Sequence, residues 1–380
     1  IATLGPGANG PQVENQLRAR GYTMGHFPQS WELSSLGGGG ARRSSGQQSL
    51  RYGRIEQLFA GGEIETFAGT WSLPCYPASA AGPDLREWVM GSEGRFGIIS
   101  QVKVRVTRLP DDERFYGVFL PSWQQAQEAV RELSQARIPL SMLRLSNALE
   151  TTTQLALAGH PRMIAVLERY LTLRGCSEGK CLLTFGVTGD RQQNALSLRQ
   201  AKRRLNKHGA VFTGRFLGNK WQQGRFRFPY LREALWKAGY IVDTLETATQ
   251  WGNVQSLMDK VEQSLRDGLA EQDQRVHVFS HLSHVYGQGS SIYTTYVFAC
   301  GKDYAQTLAN WRKLKTLASQ TIADHQGTIS HQHGVGRDHA PWLAQEKGEL
   351  GMAAIQAVVE RLDTQQQLAP GVLLMDKRHD

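Results

Sequence analysis

The sequence predicts an α+β protein of two domains, with amphipathic helices laid over antiparallel sheet. Three observations carry this. At 380 residues the chain is long enough to bury two cores. Its first 110 or so residues are rich in Gly and Ser around short β-like runs. Beyond them, apolar residues at helical spacing alternate with further β-like runs.

Taken in order, Ile1–Leu4 reads as a strand, and the chain reads as an excerpt that opens inside it. Pro11–Arg20 reads as a short helix, and four glycines follow at Gly37 to Gly40. Ile64–Ala68 and Ile98–Val106 read as strands, the second alternating apolar and polar residues from Ser100 on. Trp123–Arg137 gathers Ala126, Ala129, Val130 and Leu133 on one helical face. Asn253–Leu269 does so with Leu257, Met258, Val261 and Leu265. Tyr304–His325 offers Leu308, Trp311, Ala318 and Ile322, with Gly327 as its stop. Val276–Tyr286 and Ser291–Ala299, joined by Gly287-Gln288-Gly289, read as a hairpin.

Hydrophobic residues make up 40% and charged residues 20%, as in an ordinary globular protein. The net charge of +9, from 43 basic and 34 acidic residues, favours anionic partners such as phosphorylated small molecules or acidic lipid surfaces. Lys202-Arg203-Arg204 is the one compact basic run, and a solvated helix face explains it better than nucleic acid does. Cys75, Cys176, Cys181 and Cys300 form neither CxxC nor a disulfide framework, so a reducing, cytoplasmic compartment is expected. No uninterrupted apolar run reaches membrane-spanning length.

Two segments suggest chemistry. In Ser330-His331-Gln332-His333-Gly334-Val335-Gly336, two imidazoles flank one residue and a glycine-rich turn follows. Imidazole titrates near neutrality and suits proton transfer. In Gly91-Ser92-Glu93-Gly94-Arg95-Phe96-Gly97-Ile98, three glycines and a hydroxyl lead into a strand. Such a turn brings main-chain N–H groups against a phosphate or a flat ring. Upstream stand Ser34-Ser35-Leu36-Gly37-Gly38, Ser45-Gly46 and Tyr52-Gly53.

This ordered set resembles the PCMH-type FAD-binding domain of the vanillyl-alcohol-oxidase superfamily, and within it the alkyldihydroxyacetonephosphate synthases. The resemblance implies an FAD domain at 1–110, an FAD-linked-oxidase cap domain at 111–319, and a segment at 320–380 that carries the histidine loop back to the FAD domain. It implies FAD held non-covalently by Ser35, Leu36, Gly37, Gly38, Ser45, Gly46, Tyr52, Gly53, Gly91, Ser92, Glu93, Gly94, Gly97 and Ile98. It implies Tyr293, His331 and His333 as catalytic residues, with Arg232 on a substrate phosphate and Arg144 as another substrate-binding arginine of the active site. A phenol has a pKa near ~10, so a proton-shuttling Tyr293 would need positive charge nearby, which His331, His333 and Arg232 could supply. The implied partner is a phosphorylated, lipid-like substrate, with room for peripheral membrane contact and a homodimer; no metal is implied.

The chain departs from the pattern in two places. Gln332 stands at the family's middle histidine, and amide cannot take up a proton. No Pro-x-Gly-Gly-Gly-Thr-Ser loop occurs, so only the second lobe of the FAD domain is expected, with weakened FAD binding by this piece. The implied reaction exchanges the acyl group of acyl-dihydroxyacetone phosphate for a fatty alcohol. The alternatives are a D-2-hydroxyacid dehydrogenase or oxidase, and a degenerate non-catalytic flavin fold. Against the metal-dependent form of the dehydrogenase, Gln332 replaces its loop carboxylate, and His281 and His284 fall on opposite faces of one strand by period two.

Overall fold

A computed structural model describes residues 1–157 and 161–375. The chain packs as two units, Ile1–Leu109 with the segment from Ile322 onward, and Pro110–Thr321.

The first unit holds a four-stranded antiparallel sheet in the order β1 (Ala2–Leu4), β5 (Ile98–Val104), β3 (Phe59–Thr66), β4 (Gly69–Leu73). A small ladder pairs β2 (Tyr22–Thr23) with β6 (Thr107–Arg108). Helix α1 (Gly10–Arg18) starts where Asn9 and Gln12 cap each other's main chain at 3.0 Å, and it buries Val13 and Leu17. Short helices α2 (Leu36–Ala41), α3 (Ser49–Tyr52), α4 (Ile55–Leu58) and α5 (Leu85–Val89) follow. Leu36, Ile55, Leu58, Phe59, Ile64, Val89 and Val102 meet in the core beneath them.

Strand β3 begins at Phe59, five residues before the strand expected at Ile64–Ala68, and ends at Thr66. The pair Gly61-Gly62 disguises it. A Cβ on Gly62 would lie 2.1 Å from the carbonyl oxygen of Gln101, so the glycine lets β5 approach; it does not end the strand.

The second unit is a seven-stranded sheet with all its paired neighbours antiparallel. Its order is β10 (Val211–Phe212), β7 (Asp112–Leu120), β9 (Cys181–Gly189), β8 (Met142–Ser146), β12 (His277–Leu282), β13 (Gly289–Ala299), β11 (Tyr240–Gln250). Its helices are α6 (Trp123–Gln135), α7 (Ala148–Leu157), α8 (Pro161–Leu173), α9 (Arg191–Lys207), α10 (Phe216–Gly224), α11 (Leu231–Lys237), α12 (Val254–Asp267) and the greater part of α13 (Tyr304–Asp324). Ser122 caps α6 by accepting from the Gln125 N–H at 3.3 Å, and the helix buries Ala126, Ala129, Val130 and Leu133. Helix α14 (Ala340–Leu362) closes the chain in the first unit, with a kink at Gly348.

The hairpin of β12 and β13 forms with His281 opposite Tyr293, and the Tyr286 N–H donates to the Gly289 carbonyl at 2.8 Å across its turn. Strand β12 ends at Leu282, however, so His284 lies past its end and the two-face reading of His281 and His284 does not apply. Among the described residues, no helix is long and apolar enough to cross a membrane.

Candidate active site

In the first unit, the segments read as a flavin cradle are built tightly on the protein itself. Ser35 caps α2 by accepting from the Gly38 N–H at 3.2 Å. The Gly37 N–H donates to Pro6 at 2.8 Å, and a Cβ there would sit 2.7 Å from the Pro6 ring. Gly97 is equally constrained, since a Cβ would lie 2.5 Å from Ile64 Cγ2. Leu36, Ser45 and Ser92 are buried, Gly46 packs against Phe27, and Tyr52 meets Phe27 edge-on. Gly53, Gly91 and Gly94 take left-handed conformations, as does Glu93 between the last two, and Ile98 is exposed.

Main chain nearby is open. Cβ atoms at Gly5 and Gly7 would meet nothing within 4 Å, and at Gly94 only Ala369 Cβ at 3.8 Å. A flat ring or a pyrophosphate can approach backbone there, so these residues fit FAD.

Among the described residues, Glu93, Gln332 and Arg54 tie the histidine loop onto this cradle. Glu93 accepts from the N–H groups of Val335 and Gly336, the second at 2.9 Å. Its two oxygens thus hold the loop, a use that a flavin-contact assignment does not foresee. Gln332 Oε1 accepts from the Ser45 N–H at 3.0 Å. Gln332 is therefore a strut between loop and cradle, for which an amide serves without a titrating proton. Arg54 donates to the His331 carbonyl at 3.0 Å and lies 3.3 Å from His331 Nε2. His331 is buried and His333 half-buried.

Sequence reasoning assigned no role to Arg54, nor to His26, which stands in a segment, Gly25-His26-Phe27-Pro28-Gln29-Ser30, similar to the family's. Arg54 directly follows Tyr52-Gly53, which was its only signal. His26 Nε2 lies 2.8 Å from Ser44 Oγ, and burial, with the Arg54 charge, pulls its pKa down from 6.5 to about 4.

In the second unit a polar cluster surrounds Tyr293. The phenol is buried on β13, opposite His281 on β12 and Glu246 on β11. The His281 and Tyr293 rings stack at 4.7 Å with 14° between planes. His281 Nδ1 lies 3.1 Å from both an Arg144 guanidinium nitrogen and Glu150 Oε1. It accepts from the first or donates to the second, according to tautomer. Arg144 also pairs with Glu150 at 2.7 Å and donates to Ser146 at 3.0 Å. Burial opposes charge on Glu150, yet Arg144 and His281 overcome it and hold the carboxyl well below its usual range. Burial, aided by Arg144, lowers the His281 pKa, so this imidazole is neutral near pH 7.

Tyr293 behaves contrary to the expectation of a phenol made acidic by positive charge. Burial pushes its pKa up, the carboxylates of Glu246 and Asp243 add to the rise, and Arg144 opposes it. Arg144, which read as a strand arginine on the surface or in the site, is half-buried and committed to Glu150. Arg232 lies exposed on α11, and among the described residues nothing pairs with it. His284 is buried and donates its N–H to Ser291 Oγ at 3.0 Å.

Residues 109–373 match the family model for FAD linked oxidases, C-terminal domain, and residues 1–71 match an FAD binding domain. The chain belongs to the FAD-linked oxidase family. It is 31% identical over 351 residues to the alkyldihydroxyacetonephosphate synthase of Dictyostelium discoideum, covering 90% of this chain and 57% of that protein. The synthase of Trypanosoma brucei brucei is 28% identical over 375 residues, covering 97% and 61%. A solved alkyldihydroxyacetonephosphate synthase superposes with a TM-score of 0.80 at 26% identity, covering 97% of this chain and 64% of that one. The chain thus spans 57% and 61% of the two curated relatives' lengths.

Proposed function

We propose that this chain is part of an FAD-dependent enzyme resembling alkylglycerone-phosphate synthase. Its substrates would be acyl-dihydroxyacetone phosphate and a fatty alcohol, and its products the ether lipid and a fatty acid. The carrying observation is the buried Tyr293, held flat on His281 beside the Arg144–Glu150 pair; the resemblance makes this tyrosine catalytic.

The FAD would lie non-covalently on Ser35, Leu36, Gly37, Gly38, Ser45, Gly46, Tyr52, Gly53, Gly91, Ser92, Gly94, Gly97 and Ile98. When bound it supplies a ring nitrogen as nucleophile, so the exchange needs no net redox change. Glu93 and Gln332 hold the His331–His333 loop against that cradle. Arg232, exposed and unpaired among the described residues, would bind the substrate phosphate through its planar fork. Tyr293 keeps its proton at neutral pH, so it first acts as donor to the departing carboxylate and then recovers a proton from the alcohol. His331 and His333 belong to the same reading as the further candidate proton carriers. The domain division expected at 1–110, 111–319 and 320–380 belongs to this reading.

The family's name favours a second reading, an FAD-linked oxidation, for which a D-2-hydroxyacid is the substrate to test. The full-length protein separates the two. It should be yellow and release FAD on denaturation. It should form ether lipid from acyl-dihydroxyacetone phosphate and fatty alcohol without reducing a dye. Dye reduction by a D-2-hydroxyacid, without ether product, would promote the oxidase, and a protein that takes up no FAD would end both.

A further inference from the structure

Arg54 stands just before α4 and reaches the histidine loop across 277 positions. Its guanidinium is held on several sides. Nε lies 3.1 Å from Glu56 Oε1, and Nη2 donates to the Arg43 carbonyl at 3.2 Å. The same Nη2 donates to the His331 carbonyl at 3.0 Å, which anchors the main chain of the loop. Anchoring needs nothing more, yet Nη1 also faces the His331 ring, 3.3 Å from Nε2. The histidine is buried, so water weakens this contact little.

A guanidinium only donates, and it stays charged throughout the range in which proteins work. The ring contact therefore runs one way: Arg54 Nη1 donates and His331 Nε2 accepts. With the Nε2 lone pair taken up, the neutral imidazole carries its hydrogen on Nδ1. A proton arriving at Nε2 would set two N–H donors head to head and two positive charges side by side. The same arginine acts on a second imidazole. Burial first, and then the Arg54 charge, bring His26 down to about 4.

We propose that Arg54 is a positioning residue that fixes His331 in its Nδ1–H form, so that His331 donates a hydrogen bond through Nδ1 and relays no proton through Nε2. Of the two loop histidines, proton carriage then falls to His333. The inference rests on the reading of this loop as part of the reacting site, and it divides the work there between a fixed donor and a carrier.

The test is nuclear magnetic resonance of the full-length holoenzyme with histidine enriched in heavy nitrogen, the His331 signals being those lost in His331→Asn. Wild type should show the hydrogen on Nδ1 and a bare Nε2. Arg54→Met should show a mixture of the two forms, or the Nε2–H form. A hydrogen on Nε2 in wild type would overturn the proposal, as would a form that Arg54→Met leaves unchanged. Kinetics carries the test should Arg54→Met misfold. Counted from the main chain, Asn places its amide nitrogen at the distance of Nδ1, and Gln at that of Nε2. His331→Asn should therefore turn over within about tenfold of wild type, while His331→Gln loses about 10²–10³-fold and His333→Gln about 10²–10⁴-fold. Equal losses in the two His331 variants would overturn the proposal, since neither amide replaces a proton carrier. So would a His333→Gln enzyme as fast as wild type. The place of the hydrogen on the ring is read without turnover, so an Nδ1–H form in a protein that makes no ether lipid would indict the functional reading alone.

Discussion

Tyr293 keeps its proton because burial and two nearby carboxylates make a phenolate costly. Tyr293→Phe removes the hydroxyl and leaves the ring stacked on His281. Turnover of the full-length enzyme should fall by about 10²–10⁴-fold with KM changed little, as steady-state kinetics would show. A loss confined to KM would mean that the hydroxyl binds substrate and moves no proton. His26 offers a second test at this scale. Its imidazole titrates near 6.5 when unfolded and at about 4 when buried. As pH falls, the unfolded chain therefore takes up the proton first. Stability should be lost between those two values, by roughly 3 kcal/mol in all. Urea midpoints at neutral and acid pH should show this loss in wild type and much less of it in His26→Gln.

At the scale of elements, the histidine loop depends on Glu93. Two main-chain N–H groups donate to that one carboxylate, and each such bond contributes about 1.5–3 kcal/mol. Glu93→Ala should speed hydrogen exchange at Val335 and Gly336 while the sheet amides of β3 and β5 stay protected. Unchanged loop exchange would remove Glu93 from this role. The sequence showed the loop's glycines and histidines but could not show what holds them, because Glu93 and Gly336 are separated by 243 positions. Gln332 read as a defect for the same reason, its partner Ser45 being 287 positions away. Helices α6 and α12 were legible because each carries one apolar stripe against a polar remainder. Strand β9 was not, since it is buried on both faces and lacks alternation. Gly61-Gly62 hid the start of β3 in a similar way, as a close approach that looks like a break.

At the scale of the whole molecule, family membership brings a flavin scaffold that serves more than one chemistry. What separates transferase from oxidase is the fate of electrons and of the alcohol oxygen. The most direct measurement supplies the full-length protein with acyl-dihydroxyacetone phosphate and a fatty alcohol carrying heavy oxygen, with a redox dye present. If the alcohol displaces the acid at carbon, the label appears in the ether product, the released fatty acid is unlabelled, and the dye stays oxidised. Dye reduction, or absence of labelled ether while a D-2-hydroxyacid is consumed, would contradict the account.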